Sequence, residues 1–346
     1  MKRVLIVIAL MALVVVALLG TTAIAVAKGG QGGGKGGGKD QSDSVVGVIL
    51  AYENGSQPVV MSALDGSGLK AIDCGGDLTH GDAPRYFLHP VFSGQFLELP
   101  DGTRFGSYDL YAFDENHSVE GCTLGTLLFS DSNMYINAGL ARWSPSGTRV
   151  AWIGARVNGE QVEKGIFVGS VAFDPSSRPT SIIDVSLAAP LSSVSGVGAV
   201  SWSKDNRSVT FHLNVGGGGR SNANIFIADL ELGDLENVTN STENDEYYSA
   251  FSPVDNSLVY VRVSGVFVLD LDTGKETQIT SKGNTRATQL SQPAWSPDGQ
   301  HLAFSGWPTG GGSGSNIYRI KADGSGKALN LTESMLKTYS NPLWRK

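Results

Sequence analysis

Trp143-Ser-Pro-Ser-Gly-Thr-Arg-Val-Ala-Trp152 returns later in the chain as Trp295-Ser-Pro-Asp-Gly-Gln-His-Leu-Ala-Phe304. Two looser copies stand between them: Trp202-Ser-Lys-Asp-Asn-Arg-Ser-Val-Thr-Phe211 and Phe251-Ser-Pro-Val-Asp-Asn-Ser-Leu-Val-Tyr260. The four copies start 59, 49 and 44 residues apart. That is the length of one four-stranded blade with a variable loop, and it directs the reading to a β-propeller.

The chemistry of the unit supports this. Ser first, Pro second and Gly fourth are the preferences of a type I turn. The repeat residues Trp143, Pro145, Gly147, Trp202, Phe251, Pro253, Trp295, Pro297 and Gly299 are therefore read as turn and blade-packing elements. An apolar second strand follows each turn, then a third strand such as Ile166-Phe-Val, Ile225-Phe-Ile, Val266-Phe-Val or Ile317-Tyr-Arg-Ile. Asp-Gly turns and a fourth strand (Asn237-Val-Thr, Gln278-Ile-Thr, Asn330-Leu-Thr) complete the unit. Short β-branched and aromatic runs at even spacing favour sheet throughout.

Two further units emerge by alignment. Pro84-Arg-Tyr86 takes the place of Pro293-Ala-Trp295, with Leu110-Tyr-Ala-Phe-Asp114 as its third strand. The sixth unit is split: Asn341-Pro-Leu-Trp344 matches Gln292-Pro-Ala-Trp295, and its remaining strands lie at Val48–Tyr52, Pro58–Leu64 and Leu69–Ile72. The expected fold is all-β, a six-bladed propeller of four-stranded antiparallel blades. Pro342 and Trp344 would close the ring by joining the C-terminal strand to the N-terminal blade. Closure of this kind removes exposed sheet edges.

These residues resemble the repeat of the TolB-like propeller family: a Trp-Ser-Pro-Asp-Gly turn, an apolar strand, an Ile-Tyr strand and a terminal Leu-Thr. The resemblance spans roughly residues 45–346. Members of that family also carry an N-terminal α/β domain or a serine peptidase domain. Neither companion is expected here, because the propeller takes up the chain beyond residue 44.

Residues 1–27 stand apart. Lys2 and Arg3 precede an apolar run, and Ala25-Val-Ala27 offers small residues at a cleavage site, which is the pattern of an export signal. Counted through Ala27, the run is also long enough to remain as an anchor. Residues 28–44 are Gly-rich without an apolar side chain and read as a flexible tether. The expected location is periplasmic or extracellular, with membrane contact only through residues 4–27 if they are retained. Gly29–Lys35 fits a phosphate-loop spacing, but Gly36 follows where Ser or Thr is required, so it is read as linker.

The formal charge of −7 disfavours nucleic acid. No G-x-S-x-G, H-E-x-x-H or C-x-x-C is present, and His80, His89, His117, His212 and His301 are scattered singly, His301 at a position where a solvated side chain is expected. The Asp-Gly pairs are explained by turns rather than calcium. No cofactor, no metal and no catalytic residue are expected, and Cys74 and Cys122 fall toward opposite faces, which disfavours a disulfide.

Connections of two kinds read as long: second-to-third strand (Leu99–Tyr108, Arg156–Gly165, Asn214–Asn222, Gly306–Ser315) and blade-to-blade (among them Phe129–Ala138, Lys282–Ser291 and Glu333–Ser340). In an up-and-down blade both emerge on one face, where binding residues concentrate. Trp307, Tyr135, Tyr339, Arg220 and Arg286 are the candidate contact groups there. The expected function is a monomeric, non-enzymatic binding module for a protein or cell-envelope component. The alternatives are a carbohydrate-active lyase or hydrolase with a site at the channel mouth, and a structural surface protein on a flexible stalk.

Overall fold

The computed structural model describes residues 45–345 except 46, 55–56, 72–85, 100–101, 103, 115–124, 137–140, 193–196, 199, 217–221, 311–313 and 334–336. The N-terminal segment, the Gly-rich tether, Cys74, Cys122, His80, His117 and Arg220 lie outside the described residues. Among the described residues the regular structure is all strand, and no helix is long and apolar enough to cross a membrane.

The strands run in chain order as follows. First come β1 (Val48–Glu53), β2 (Gln57–Ser62) and β3 (Lys70–Ala71). Then follow β4 (Tyr86–Glu98), β5 (Arg104–Asp114), β6 (Thr126–Phe129) and β7 (Met134–Ile136). The first tight repeat gives β8 (Arg142–Trp143), β9 (Arg149–Asn158), β10 (Gln161–Phe173) and β11 (Pro179–Pro190). The next gives β12 (Ser201–Trp202), β13 (Ser208–Asn214), β14 (Ala223–Asp229) and β15 (Leu235–Asn237). After it come β16 (Tyr247–Phe251), β17 (Ser257–Arg262), β18 (Gly265–Asp270) and β19 (Glu276–Gln278). Last are β20 (Ala287–Trp295), β21 (His301–Pro308), β22 (Asn316–Lys321), β23 (Leu329–Asn330) and β24 (Tyr339–Arg345).

β12–β15, β16–β19 and β20–β23 are four-stranded antiparallel meanders. A fourth sheet has the order β24-β1-β2-β3, with Ile49 opposite Trp344 and Leu50 opposite Leu343. The chain's last strand is thus the first strand of its first sheet. Trp344 and Pro342 are both buried there.

Each unit's second strand is buried on both faces: Val150–Ala155, Val209–Leu213, Leu258–Val261 and Leu302–Ser305. Such strands read as continuous apolar runs because each sheet is covered on both sides by its neighbours. Val259 and Val261 pack with Leu302 and Phe304 of the following sheet. Ala303 and Ile317 of that sheet pack in turn with Ile49 and Met61.

The Ser of each turn is what locks it. The N–H groups of Ser144, Ser203, Ser252 and Ser296 all donate to the carbonyl five residues on, at 2.8 Å. In three copies the same Ser hydroxyl accepts the N–H of that fifth residue, at 2.8–3.1 Å. Gly147, Asn206 and Gly299 sit fourth in the turn with φ of 71°, 63° and 70°, which explains why Asn replaces Gly in the looser copy.

Two expectations are corrected. Tyr86 does not lie in an inner strand; it opens β4, which pairs with β5 in the place of a second strand. The long connections at Leu99–Tyr108 and Arg156–Gly165 are largely strand, the upper halves of two extended hairpins, β4–β5 and β9–β10. β7 pairs with both β5 and β9 and stitches them into one eight-stranded sheet. The cause is burial: Leu97, Leu99 and Phe105 from the first hairpin pack into the core between the third and fourth units, with Ile153, Val168 and Phe211.

Candidate functional site

The five sequence candidates part company. Trp307 and Arg286 come together where β20 and β21 run out beyond the sheet core. Thr288 opposes Trp307, and the Arg286 carbonyl accepts the N–H of Thr309 at 2.9 Å, continuing the ladder. Opposed residues and residues two apart share a face. Arg286, Thr288, Trp307 and Thr309 therefore lie on one side, and all four are exposed, Trp307 at 41%. Their neighbours Ala287 and Gly306 are buried, and a Cβ on Gly306 would lie 3.0 Å from that of Ala287. This rim carries a cation, an indole and two hydroxyls.

Tyr339 is not a surface contact group. It is 1% exposed, and its hydroxyl donates to Glu53 Oε2 at 3.3 Å. Its N–H donates to Ser315 O and its carbonyl accepts the Ser315 hydroxyl, tying β24 to the last meander. Burial, with Glu53 adding to it, pushes the phenol up to about 12. Tyr135 is likewise corrected: it lies in β7, half-buried against the core, opposite Ala155. Its carbonyl approaches so closely that a Cβ on Gly154 would stand 2.4 Å away.

One histidine, His301, also differs from expectation. His301 is buried, its ring 6.0 Å from that of Trp344. His212 is buried between Gly198 and two tyrosines, at 5.2 Å from Tyr247 and 5.7 Å from Tyr248. Its Nδ1 accepts the N–H of Tyr248, and burial lowers it to about 4, so it is neutral at pH 7.

Sequence reasoning missed a charged cluster in the third tight repeat, β16–β19. Arg262 donates to Glu246 at 3.0 Å and to Glu276 at 2.7 Å, with its guanidinium over the rings of Tyr260 and Phe267. Tyr260 donates to the other oxygen of Glu276. Burial raises the Glu246 carboxyl and Arg262 opposes the rise. Among the described residues, no three His, Cys, Asp or Glu are grouped to hold a metal.

Residues 203–307 match the family model described as dipeptidyl peptidase IV N-terminal region. Dipeptidyl peptidase 4 of Arthroderma otae is 34% identical over 97 residues, covering 24% of this chain and 12% of the relative. Among solved structures, TolB from Acinetobacter baumannii superposes with a TM-score of 0.57 at 16% identity, over 86% of this chain and 66% of that one. A chain of the nidogen/laminin complex gives 0.54 at 8% identity, over 86% of this chain and 97% of that one.

The peptidase matches correct the expectation of a non-enzymatic module: residues 203–307 are similar in sequence to the N-terminal region of a dipeptidyl peptidase. The chain has the fold of a TolB-like β-propeller, built from antiparallel sheets, four of them four-stranded and one of eight strands.

Proposed function

We propose that this chain is an extracytoplasmic, peptidase-related binding propeller that holds a protein or peptide segment of the cell envelope against the Arg286–Trp307 rim. The carrying observation is the shared exposed face of Arg286, Thr288, Trp307 and Thr309 on a paired two-strand extension. Trp307 combines a large exposed apolar face with the Arg286 cation on the same side of the two strands. Trp and Arg are also the side chains that most often dominate an interface. Arg286 pairs with a carboxylate, Trp307 covers an apolar side chain, and the kinship with dipeptidyl peptidases favours a peptide as the ligand class.

The same reading takes the ring as six-bladed. The eight-stranded sheet counts as two blades, and the β24–β1 pairing is the closure. Residues 1–27 serve as the export signal or anchor, and 28–44 as the tether that lets the propeller reach its partner. In this reading the propeller acts as a monomer, without nucleic acid.

The test is capture from envelope extract by the full chain. Trp307→Ala with Arg286→Ala is expected to abolish capture of the partner that the parent retains, with the melting temperature unchanged. Undiminished capture by that variant contradicts the assignment of the rim.

A further inference from the structure

Three adjacent inner strands share an unusual backbone feature. Tyr248, Gln292 and Asn341 each lie three residues before the unit's aromatic (Phe251, Trp295, Trp344), and all three are left-handed, with φ of 57°, 52° and 53°. β16, β20 and β24, which carry them, pack side by side. Their registers shift at or next to these positions.

Glycine or Asn meets such a conformation at little cost, and Asn341 is of that type; a tyrosine does not. Gln292 has a structural reason to be there. Its Oε1 accepts the N–H of Asn341 at 2.9 Å and the hydroxyl of Ser305 at 3.3 Å. No side-chain hydrogen bond of this kind holds Tyr248 among the described residues. Its N–H, not its side chain, makes the bond to His212, and its ring stays 41% exposed. The ring packs edge-on against His212 at 5.7 Å and beside Tyr247 at 6.1 Å, and a strained residue that still keeps an exposed aromatic face points to use by a ligand.

The surroundings define the ligand. The inner-strand segments 247–251, 287–295 and 339–344 contain no Asp, Glu, Lys, Arg or His. They offer a phenol, the amides of Gln289, Gln292 and Asn341, and serine hydroxyls, with Gln289 also left-handed and exposed. The N–H groups of Tyr248 and Asn341 are already used by His212 and Gln292, so these strands do not present the free main-chain ladder that an added peptide strand requires.

We propose that the Tyr248–Gln289–Gln292–Asn341 arc is a binding site for a neutral saccharide, with the Tyr248 ring as its stacking surface and the amides as its hydroxyl partners. The proposal stands whether or not the Arg286–Trp307 rim binds a peptide.

The test titrates the full chain with neutral hexasaccharides (maltohexaose, cellohexaose, chitohexaose) and with a capped neutral hexapeptide of Ser, Gly and Gln, by calorimetry. One saccharide is expected to bind and the peptide not. Tyr248→Gly is expected to weaken saccharide binding by about tenfold or more while raising the melting temperature, because it removes a contact and relieves strain together. Gln289→Gly, a second relief of strain in the arc, is expected to weaken binding without lowering the melting temperature. Binding of the peptide alone, or Tyr248→Gly with a lower melting temperature and unaltered saccharide affinity, overturns the proposal.

Discussion

The indole N–H of Trp202 donates to the main-chain carbonyl of Arg142 at 3.0 Å, the residue just before Trp143 of the preceding unit. Trp295 repeats the bond to the carbonyl of Ala250, just before Phe251, at 3.2 Å. The repeat aromatic is thus a clamp between consecutive sheets as well as an apolar filler. Arg149 strengthens the first clamp, donating to Asn206 O at 3.0 Å with its guanidinium over the Trp202 ring. Among the described residues Trp143 Nε1 meets no acceptor.

This difference predicts a ranking. Trp202→Phe and Trp143→Phe lose similar apolar area, but only the first also strands a carbonyl. Trp202→Phe is expected to cost about 1 kcal/mol more than Trp143→Phe in urea denaturation, the net worth of one hydrogen bond. Equal costs would show that the indole bond contributes nothing to sheet-to-sheet cohesion.

The turn glycines give a second comparison. Gly66 and Gly274 both have positive φ, 76° and 67°. Around Gly274 there is open space, whereas a Cβ on Gly66 would stand 1.9 Å from the carbonyl oxygen of Leu331 in the last meander. Gly274→Ala is expected to cost about 1 kcal/mol, the backbone term alone. Gly66→Ala is expected to cost clearly more, because backbone cannot step aside. Matching midpoint shifts for the two variants would mean that the first sheet does not rest on Leu331.

Much of this was legible in the sequence because turn chemistry leaves little choice of residue. Ser-Pro-x-Gly is set by backbone geometry, so the strand pattern could be traced, and Asn341-Pro-Leu-Trp344 could be matched to an inner strand. The extended hairpins were not legible. Polar and glycine residues at 99–108 and 156–165 look like loop, and it is the pairing of β4 with β5 and of β9 with β10, joined through β7, that makes them sheet. Tyr339 looked exposed because its partners, Glu53 and Ser315, are distant in sequence. Left-handed Tyr248 and Gln292 carry no local signal, since neither residue type announces positive φ. Alignment of Asn341 with Gln292 was the one clue available.

His212 predicts a pH dependence. Burial lowers it to about 4 from an ordinary value near 6.5, so the folded state binds fewer protons than the unfolded one between those values. Its contribution is intact above pH 6.5 and is lost as pH falls toward 4, by roughly 3 kcal/mol at most. Serine hydroxyls and turn N–H groups hold Asp65, Asp205, Asp229, Asp270 and Asp323 below the usual carboxylate range, so their stabilisation is lost only at still lower pH. His212→Gln is expected to flatten the stability profile between pH 6.5 and 4 while leaving the steeper acid limb. An unchanged slope in that window would place the titration elsewhere.

The most direct test of the binding face is hydrogen exchange on the full chain with and without the captured envelope partner. Protection is expected at 286–290 and 306–309, where Arg286 and Trp307 share a face, and not at the tight turns 203–207, 253–256 and 297–300. Protection confined to those turns, with the Arg286–Trp307 rim exchanging at its free rate, would contradict the account.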